Sequence, residues 1–339
     1  MSTRALLSSF EEEVLDPEEE TFDLFSHPIP SQNLGFIDPK AQSLDVSVSI
    51  PPGNQSTGPG TKGAAAREAT LDFTIHQSPA ILSSDRAGGT TGAVLWKITP
   101  LFAGWLASPL AQPFLPSPAS EASTRPGPSS PPSILELGCG ISALTALAAA
   151  SRVRRYVLTD QPYVSKLVRM NLDENRAPPS SSSGKRRKTK GSGSAAVAAA
   201  AAAQGQAVGG GEIHFVPLDW ELDQVTPALT CSPDRRSFDA VVACDCVYNE
   251  ALVGPFVQTC ADACRLRLRE AEEGRGGEGA AEPCVCIVAQ QLRAPEVFEA
   301  WLRAFHAHFR VWRVPDSMLS EGLRLGSGFV VHVGVLREV

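Results

Sequence analysis

The chain has 339 residues, a formal net charge of -7, and 28 glycines and 27 prolines that fall in clusters. That length holds one large domain or two small ones, and the clustering predicts unstructured stretches between ordered ones. The mild acidic balance excludes the strongly basic profile of a nucleic-acid-binding chain, so no direct nucleic-acid partner is expected.

The opening "MSTRALLSSFEEEVLDPEEE" turns acidic early and has no apolar core of signal-peptide length. No run of about eighteen apolar residues occurs anywhere, so no membrane span is expected. A cytoplasmic location follows, with the nucleus also open. Residues 1–68 show no sustained period, carry "IPPGNQSTGPGTKGAAA", and read as mostly disordered.

From Ala69 the text changes. "TLDFTIHQSP" alternates like a strand, and "GAVLWKITPLFAGWLAS" has apolar residues at helical spacing with Trp96 near its start. Residues 107–132 are Pro- and Ser-rich and read as an insertion. "SILEL" is a short buried strand, and "SALTALAAASR" a helix with Ser142 as N-cap. "RYVLTD" and "YVSKLVRMNLDEN" are the next strand and helix. A second insertion, 177–211, holds a serine tract, the basic cluster "GKRRKTK", an alanine run and a glycine cluster; it reads as a solvated surface excursion. "EIHFVPLDW" and "FDAVVACD" are strands, and the latter opens the "CVYNE" loop. The helix "LVGPFVQTCADACRLRLRE", a charged Gly-rich loop over 270–282, the strand "CVCIVAQQ" and the helix "PEVFEAWLRAFHAHF" follow. "RVWRV" and "GFVVHVGVLRE" close the chain as two successive strands.

Strands alternate with helices until those last two. The pattern predicts an α/β fold: a parallel Rossmann-like sheet with an antiparallel last strand, forming one domain over 69–339. The eight cysteines form no CxxC pair and read as reduced, buried, apolar side chains, with no metal site expected.

The stretch "ILELGCGIS" carries the chemistry. A strand that feeds Gly138–Cys139–Gly140 and then a helix lets the backbone approach a ligand and presents unpaired N–H groups to it. Read as "GCGISA", the same letters also pass for a dinucleotide fingerprint. Glu136, inside the strand, would repel a pyrophosphate but suits a ligand carrying a sulfonium and an ammonium. Asp160 ends the next strand, where a carboxylate meets ribose hydroxyls in either class. Leu218–Trp220 ends the third strand with an acceptor and a stacking face for adenine. The final helix–strand–strand order also favours S-adenosylmethionine over a dinucleotide. Each residue has a plainer alternative: Glu136 as an edge carboxylate, Trp220 as core, Asp160 as a helix cap.

Taken together, "ILELGCGIS", "TDQ", "LDWE" and "ACDCVYNE" resemble the methyltransferase-like 21 group of seven-stranded protein-lysine methyltransferases, and most nearly its fungal ribosomal lysine N-methyltransferase 5 branch. The resemblance covers about 70–107, 133–176 and 212–339. It implies S-adenosylmethionine as cofactor and a lysine of a folded protein as substrate, in the fungal branch a large-subunit ribosomal protein of the L1 type. It implies cofactor contacts at Trp96, Gly138, Cys139, Gly140, Asp160, Trp220 and near Cys244, and an Asp-x-x-Tyr signature at Asp245 and Tyr248 beside the target lysine. On this reading Asp245 accepts a hydrogen bond from the incoming ammonium and Tyr248 walls the lysine channel. A monomer is expected.

Overall fold

The computed structural model describes residues 7, 10, 13–30, 35–53, 68–86, 89–115, 131–175, 206–208, 211–273 and 282–337. The strands in chain order are β1 (Glu13–Val14), β2 (Ser43–Ile50), β3 (Ala69–His76), β4 (Ser133–Leu137), β5 (Arg155–Asp160), β6 (Gln206–Val208), β7 (Gly211–Pro217), β8 (Ala240–Cys244), β9 (Val285–Gln291), β10 (Phe309–Arg313) and β11 (Phe329–Leu336). β2 pairs only with β3; the other nine form one sheet in the order β1-β10-β11-β9-β8-β4-β5-β7-β6. Seven of these make the expected sheet. β7, β5, β4, β8 and β9 run parallel, and β11 is antiparallel to both β9 and β10. The two- and three-residue strands β1 and β6 extend its edges beyond the seven expected.

Apolar cores lie on both faces, as the near-continuous apolar strands require. Ile134 of β4 packs into one core, with the helices Ile98–Leu106, Leu144–Ala149 and Ser165–Glu174. Leu135 and Leu137 point into the other, with the helices Val253–Glu272 and Pro295–His308. The order of the sheet reverses at β4: the chain moves outward to β5 and β7, then returns to β8 on the other side. A crevice opens there, at the carboxyl ends of the strands, where such sheets bind ligands.

The expectation of a mostly disordered 1–68 is corrected for the described part of that segment. "SLDVSVSI" alternates like a half-buried strand; Val46 and Val48 are buried, and the strand pairs with β3 over its whole length. The helix Pro17–Ser26 is capped by Asp16, whose carboxylate accepts from Glu18 N at 2.8 Å. It is held by a hydrogen bond between Glu20 and His332 Nε2 at 2.8 Å and by an ion pair from Asp23 to Arg313 at 2.8 Å. β2 is as long as β3, but its alternation is set beside a Gly- and Pro-rich stretch, and the helix Pro17–Ser26 takes its partners from the far end of the chain. In the insertions, 107–115 is ordered and buries Phe114 and Leu115, and β6 pairs with β7. The serine tract, "GKRRKTK" and the alanine run lie outside the described residues.

β3 has a second neighbour that is not a strand. Asn171 accepts from His76 N at 2.7 Å and donates to His76 O at 2.9 Å; Asn175 does the same with Thr74 N and O, both at 2.9 Å. Four residues of helix rise about 6 Å and two of strand about 6.7 Å, so two carboxamides one helical turn apart match a strand edge. Asn171 also donates to Ile141 O at 2.7 Å, tying the β2–β3 ribbon to the glycine turn.

Candidate active site

The crevice encloses a cavity of about 370 Å³. All ten residues singled out in the sequence line it: Trp96, Glu136, Gly138, Cys139, Gly140, Asp160, Trp220, Cys244, Asp245 and Tyr248. They arrive on the carboxyl ends of β4, β5, β7 and β8, and on the segment that precedes the Ile98–Leu106 helix.

The glycine turn is shaped for close approach. Gly138 and Gly140 have φ of +67° and +59°, a region that disfavours residues with a Cβ. A Cβ on Gly138 would lie 2.6 Å from Cys246 Sγ and 3.2 Å from the Trp220 ring. Ser142, expected as the N-cap, lies one residue too early: the N-cap is Ala143, left-handed at φ +52° and without a side-chain capping bond, while Ser142 Oγ accepts from Leu144 N at 3.3 Å ahead of a short helix, Leu144–Ala149. Cys139 Sγ donates to Gly140 O at 3.2 Å.

Glu136 is buried at 2 % exposure, not on an edge. Burial pushes its carboxyl up to about 7, against a hydrogen bond from the Thr145 hydroxyl. The buried Tyr156 hydroxyl perturbs it too but sits in no well-aligned hydrogen bond. Asp160 is pushed up to about 6 by desolvation, against hydrogen bonds from Gly140 N at 2.8 Å and Gln161 N at 2.6 Å. Its carboxylate therefore fixes the glycine turn as well as facing the cavity. Trp220 packs on Phe256, ring centroids 5.1 Å apart, with its edge over Gly138.

Asp245 differs from expectation. It sits at φ +61° directly after β8, and its side chain is only 1 % exposed. Arg293 grips it in parallel, Nη1 to Oδ1 at 2.8 Å and Nη2 to Oδ2 at 2.5 Å, and Gln291 N donates to Oδ1 at 3.2 Å. The bonds foreseen for an incoming ammonium are already made by a guanidinium from the end of β9. Tyr248 is 40 % exposed at the mouth; desolvation raises its phenol, against a hydrogen bond with Thr91.

Several groups that line the cavity or back its wall carried no motif. The 89–96 segment crosses the turn: Gly92 O accepts from Ile141 N at 2.9 Å, and a Cβ on Gly92 would meet the Tyr163 hydroxyl at 2.9 Å. "GGTTG" was the available signal, a glycine cluster just before Trp96. Trp96 lies between the Phe36 ring, 4.5 Å away, and the Arg293 guanidinium, 5.0 Å away. Phe36 and Arg293 had no local signal, since they come from opposite ends of the chain.

No family model matches the chain. Among curated proteins it is similar to ribosomal lysine N-methyltransferase 5 of Zygosaccharomyces rouxii, 31 % identical over 281 residues, which is 80 % of this chain and 81 % of that protein. The chain belongs to the ribosomal lysine N-methyltransferase 5 family. It is therefore a methyltransferase. The protein of that name from Eremothecium gossypii is 29 % identical over 247 residues, 69 % of this chain and 72 % of that one. Among solved structures, the N-methyltransferase NodS from Bradyrhizobium japonicum in complex with S-adenosyl-L-homocysteine overlaps 61 % of this chain and 79 % of that one, with 10 % identity and a TM-score of 0.33. The strand order and the cavity put this chain's site at the carboxyl edge of β4. No helix among the described residues is long and apolar enough to cross a membrane.

Proposed function

We propose that this chain transfers a methyl group from S-adenosylmethionine to the side-chain amine of a lysine on a ribosomal protein, of the large-subunit L1 type that the resemblance implies. The charge of the cavity carries this reading. Five carboxyl groups line it, Glu136, Asp160, Asp219, Glu221 and Asp245, and no Lys, Arg or His does so among the described residues. A dinucleotide brings a pyrophosphate that such walls repel. S-adenosylmethionine brings a sulfonium and an ammonium, whose charge favours buried carboxylates in their ionised form. A Cβ at Gly138 would collide with Cys246 Sγ and one at Gly140 would press on Gly92 O, so the two glycines let Trp220 and the 89–96 segment close around the turn that meets the nucleoside.

The donor, when bound, supplies a methyl group on a sulfur that is already electrophilic. The chain's residues have two tasks. The first is placement: Gly138–Gly140 and Asp160 hold the nucleoside, Trp220 offers it a face, and Trp96 and Cys244 close the methionine side, with Glu136 toward the ammonium. Fixing amine and methyl in line is worth about 7–11 kcal/mol in the best intramolecular models. The second is the amine's protonation. A free lysine titrates at ~10.4, so only about one in 2,500 is neutral at pH 7, and a dry channel walled by Tyr248 favours the neutral form. The protein acts as a monomer in the cytoplasm, where ribosomal proteins are made.

The test is tritiated S-adenosylmethionine with an extract lacking this protein, followed by mass spectrometry of the labelled band. Label on a lysine of an L1-type protein is expected. Label on a different protein overturns the target, and label on RNA, DNA or small molecules overturns the substrate class. Tight NAD binding without S-adenosylhomocysteine binding overturns the cofactor.

A further inference from the structure

Arg293 follows β9 and reaches across to the loop after β8. Besides the two bonds to Asp245, its Nη2 donates to Gln291 Oε1 at 2.9 Å. Asp245 N donates to Ala289 O at 2.7 Å, so backbone and side chain of Asp245 are both tied to the β9 edge. The guanidinium lies over the Trp96 ring, 5.0 Å from its centroid, and so near Gly35 that a Cβ there would come within 2.6 Å of Nη2. Planar, bidentate and enclosed, this is the geometry in which Arg and Lys are least interchangeable.

The proposed chemistry sets a requirement on charge here, and this inference rests on that reading. The reacting lysine must lose its proton, yet a carboxylate within about 4–6 Å holds an ammonium protonated, raising its titration point by about 1–3 units. An unbalanced Asp245 at the channel would oppose the reaction. We propose that Arg293 is a positioning residue for methyl transfer: it balances the charge of Asp245 and pins the 245–248 loop, so that the incoming amine meets a neutral pair and not a bare carboxylate. Other acids face the cavity: Glu136 from β4, Asp160 from the end of β5, and Asp219 and Glu221 after β7. Tyr163, Tyr248 and the thiols of Cys139, Cys244 and Cys246 also line it, all raised by desolvation. None of these lining groups is a cation; Asp245 raises the Cys244 and Cys246 thiols and Arg293 lowers that of Cys244, so Arg293→Gln moves the Cys244 thiol further up, away from the neutral range.

The experiment is the pH profile of kcat for lysine methylation at saturating substrate, which reports groups in the bound complex, with calorimetric S-adenosylmethionine binding, for wild type, Arg293→Gln, Arg293→Lys and the double variant Asp245→Asn/Arg293→Gln. Arg293→Gln is expected to move the alkaline-rising limb upward by about one pH unit or more. That lowers the rate about ten-fold near neutrality, recoverable at high pH, with cofactor affinity within a few-fold of wild type. Arg293→Lys restores part of the shift through its charge. The double variant, uncharged at both positions, returns the limb to its wild-type place. A rate loss equal at all pH values, an unmoved limb in Arg293→Gln, or a double variant as displaced as the single overturns the proposal. If Arg293→Gln fails to fold, the double variant, which leaves no unpaired charge, decides on its own: a limb displaced from wild type overturns it. Wild-type protein that labels no lysine overturns the proposed function itself, an outcome distinct from an active wild type whose variants keep its profile.

Discussion

Glu136→Gln probes the cavity's charge most directly. In the empty site burial holds this carboxyl at about 7, so at pH 5.5 only about one site in thirty is ionised. A cationic ligand stabilises the ionised form and must expel the proton wherever one is held. If the bound carboxyl returns to its ordinary value near ~4.5, S-adenosylmethionine binds roughly 30-fold more weakly at pH 5.5 than at pH 8.5. Calorimetry in two buffers of different ionisation enthalpy should find about half a proton released at pH 7 from this group. Glu136→Gln is isosteric and uncharged; it should bind like the protonated wild type at every pH, apart from a smaller effect near pH 6 from Asp160. Stability should move the opposite way. The folded carboxyl titrates above its unfolded counterpart, so the native state holds the proton more tightly. The resulting stabilisation is full below about pH 4.5 and is lost as pH rises through about 7. The shift of about 2.5 units corresponds to an upper limit of about 3 kcal/mol. Glu136→Gln, with no charge to bury, should therefore gain on wild type in thermal melts between pH 5 and 8. A wild type whose affinity is flat across pH, or a Glu136→Gln protein with the wild-type slope, would refute the reasoning.

Gly138→Ala should keep the fold by circular dichroism yet weaken cofactor binding by at least about ten-fold, because the left-handed backbone costs about 1–2 kcal/mol and the new methyl displaces Cys246 and Trp220; wild-type affinity by calorimetry would contradict this. Asn171→Leu orphans His76 N, His76 O and Ile141 O, so denaturant unfolding should show a loss of about 2–4 kcal/mol, accompanied by weaker cofactor binding through the glycine turn. Phe36→Ala removes one wall of Trp96; aromatic pairs are worth about 0.5–1.5 kcal/mol beyond their area, so cofactor affinity should fall a few-fold with the melting profile little changed.

What was legible in the sequence was local in origin. The alternating and continuous apolar runs gave β3, β4, β5, β7, β8, β9 and β11 nearly at their observed bounds, because pleat and burial impose those periods on adjacent residues. Gly138, Gly140, Glu136, Asp160 and Trp220 were readable for a related reason. A parallel sheet delivers the residue after each strand to the same edge, so position relative to a strand end already predicts the cavity.

Tertiary structure decided the rest. β2 reads clearly once β3 is known to be its partner, but alone it is an alternation with serine and aspartate on its outer face, set in a Gly- and Pro-rich neighbourhood. The two asparagines that imitate a strand edge look like ordinary helix residues until β3 lies beside them. Asp245 shows the limit most sharply. Its place at the end of β8 was set by sequence, but what its carboxylate does was set by Arg293, 48 residues away. Chain position fixes where a backbone passes. The charge and bonding state of a buried side chain depend on which distant groups share its low-dielectric surroundings, and only packing brings those together.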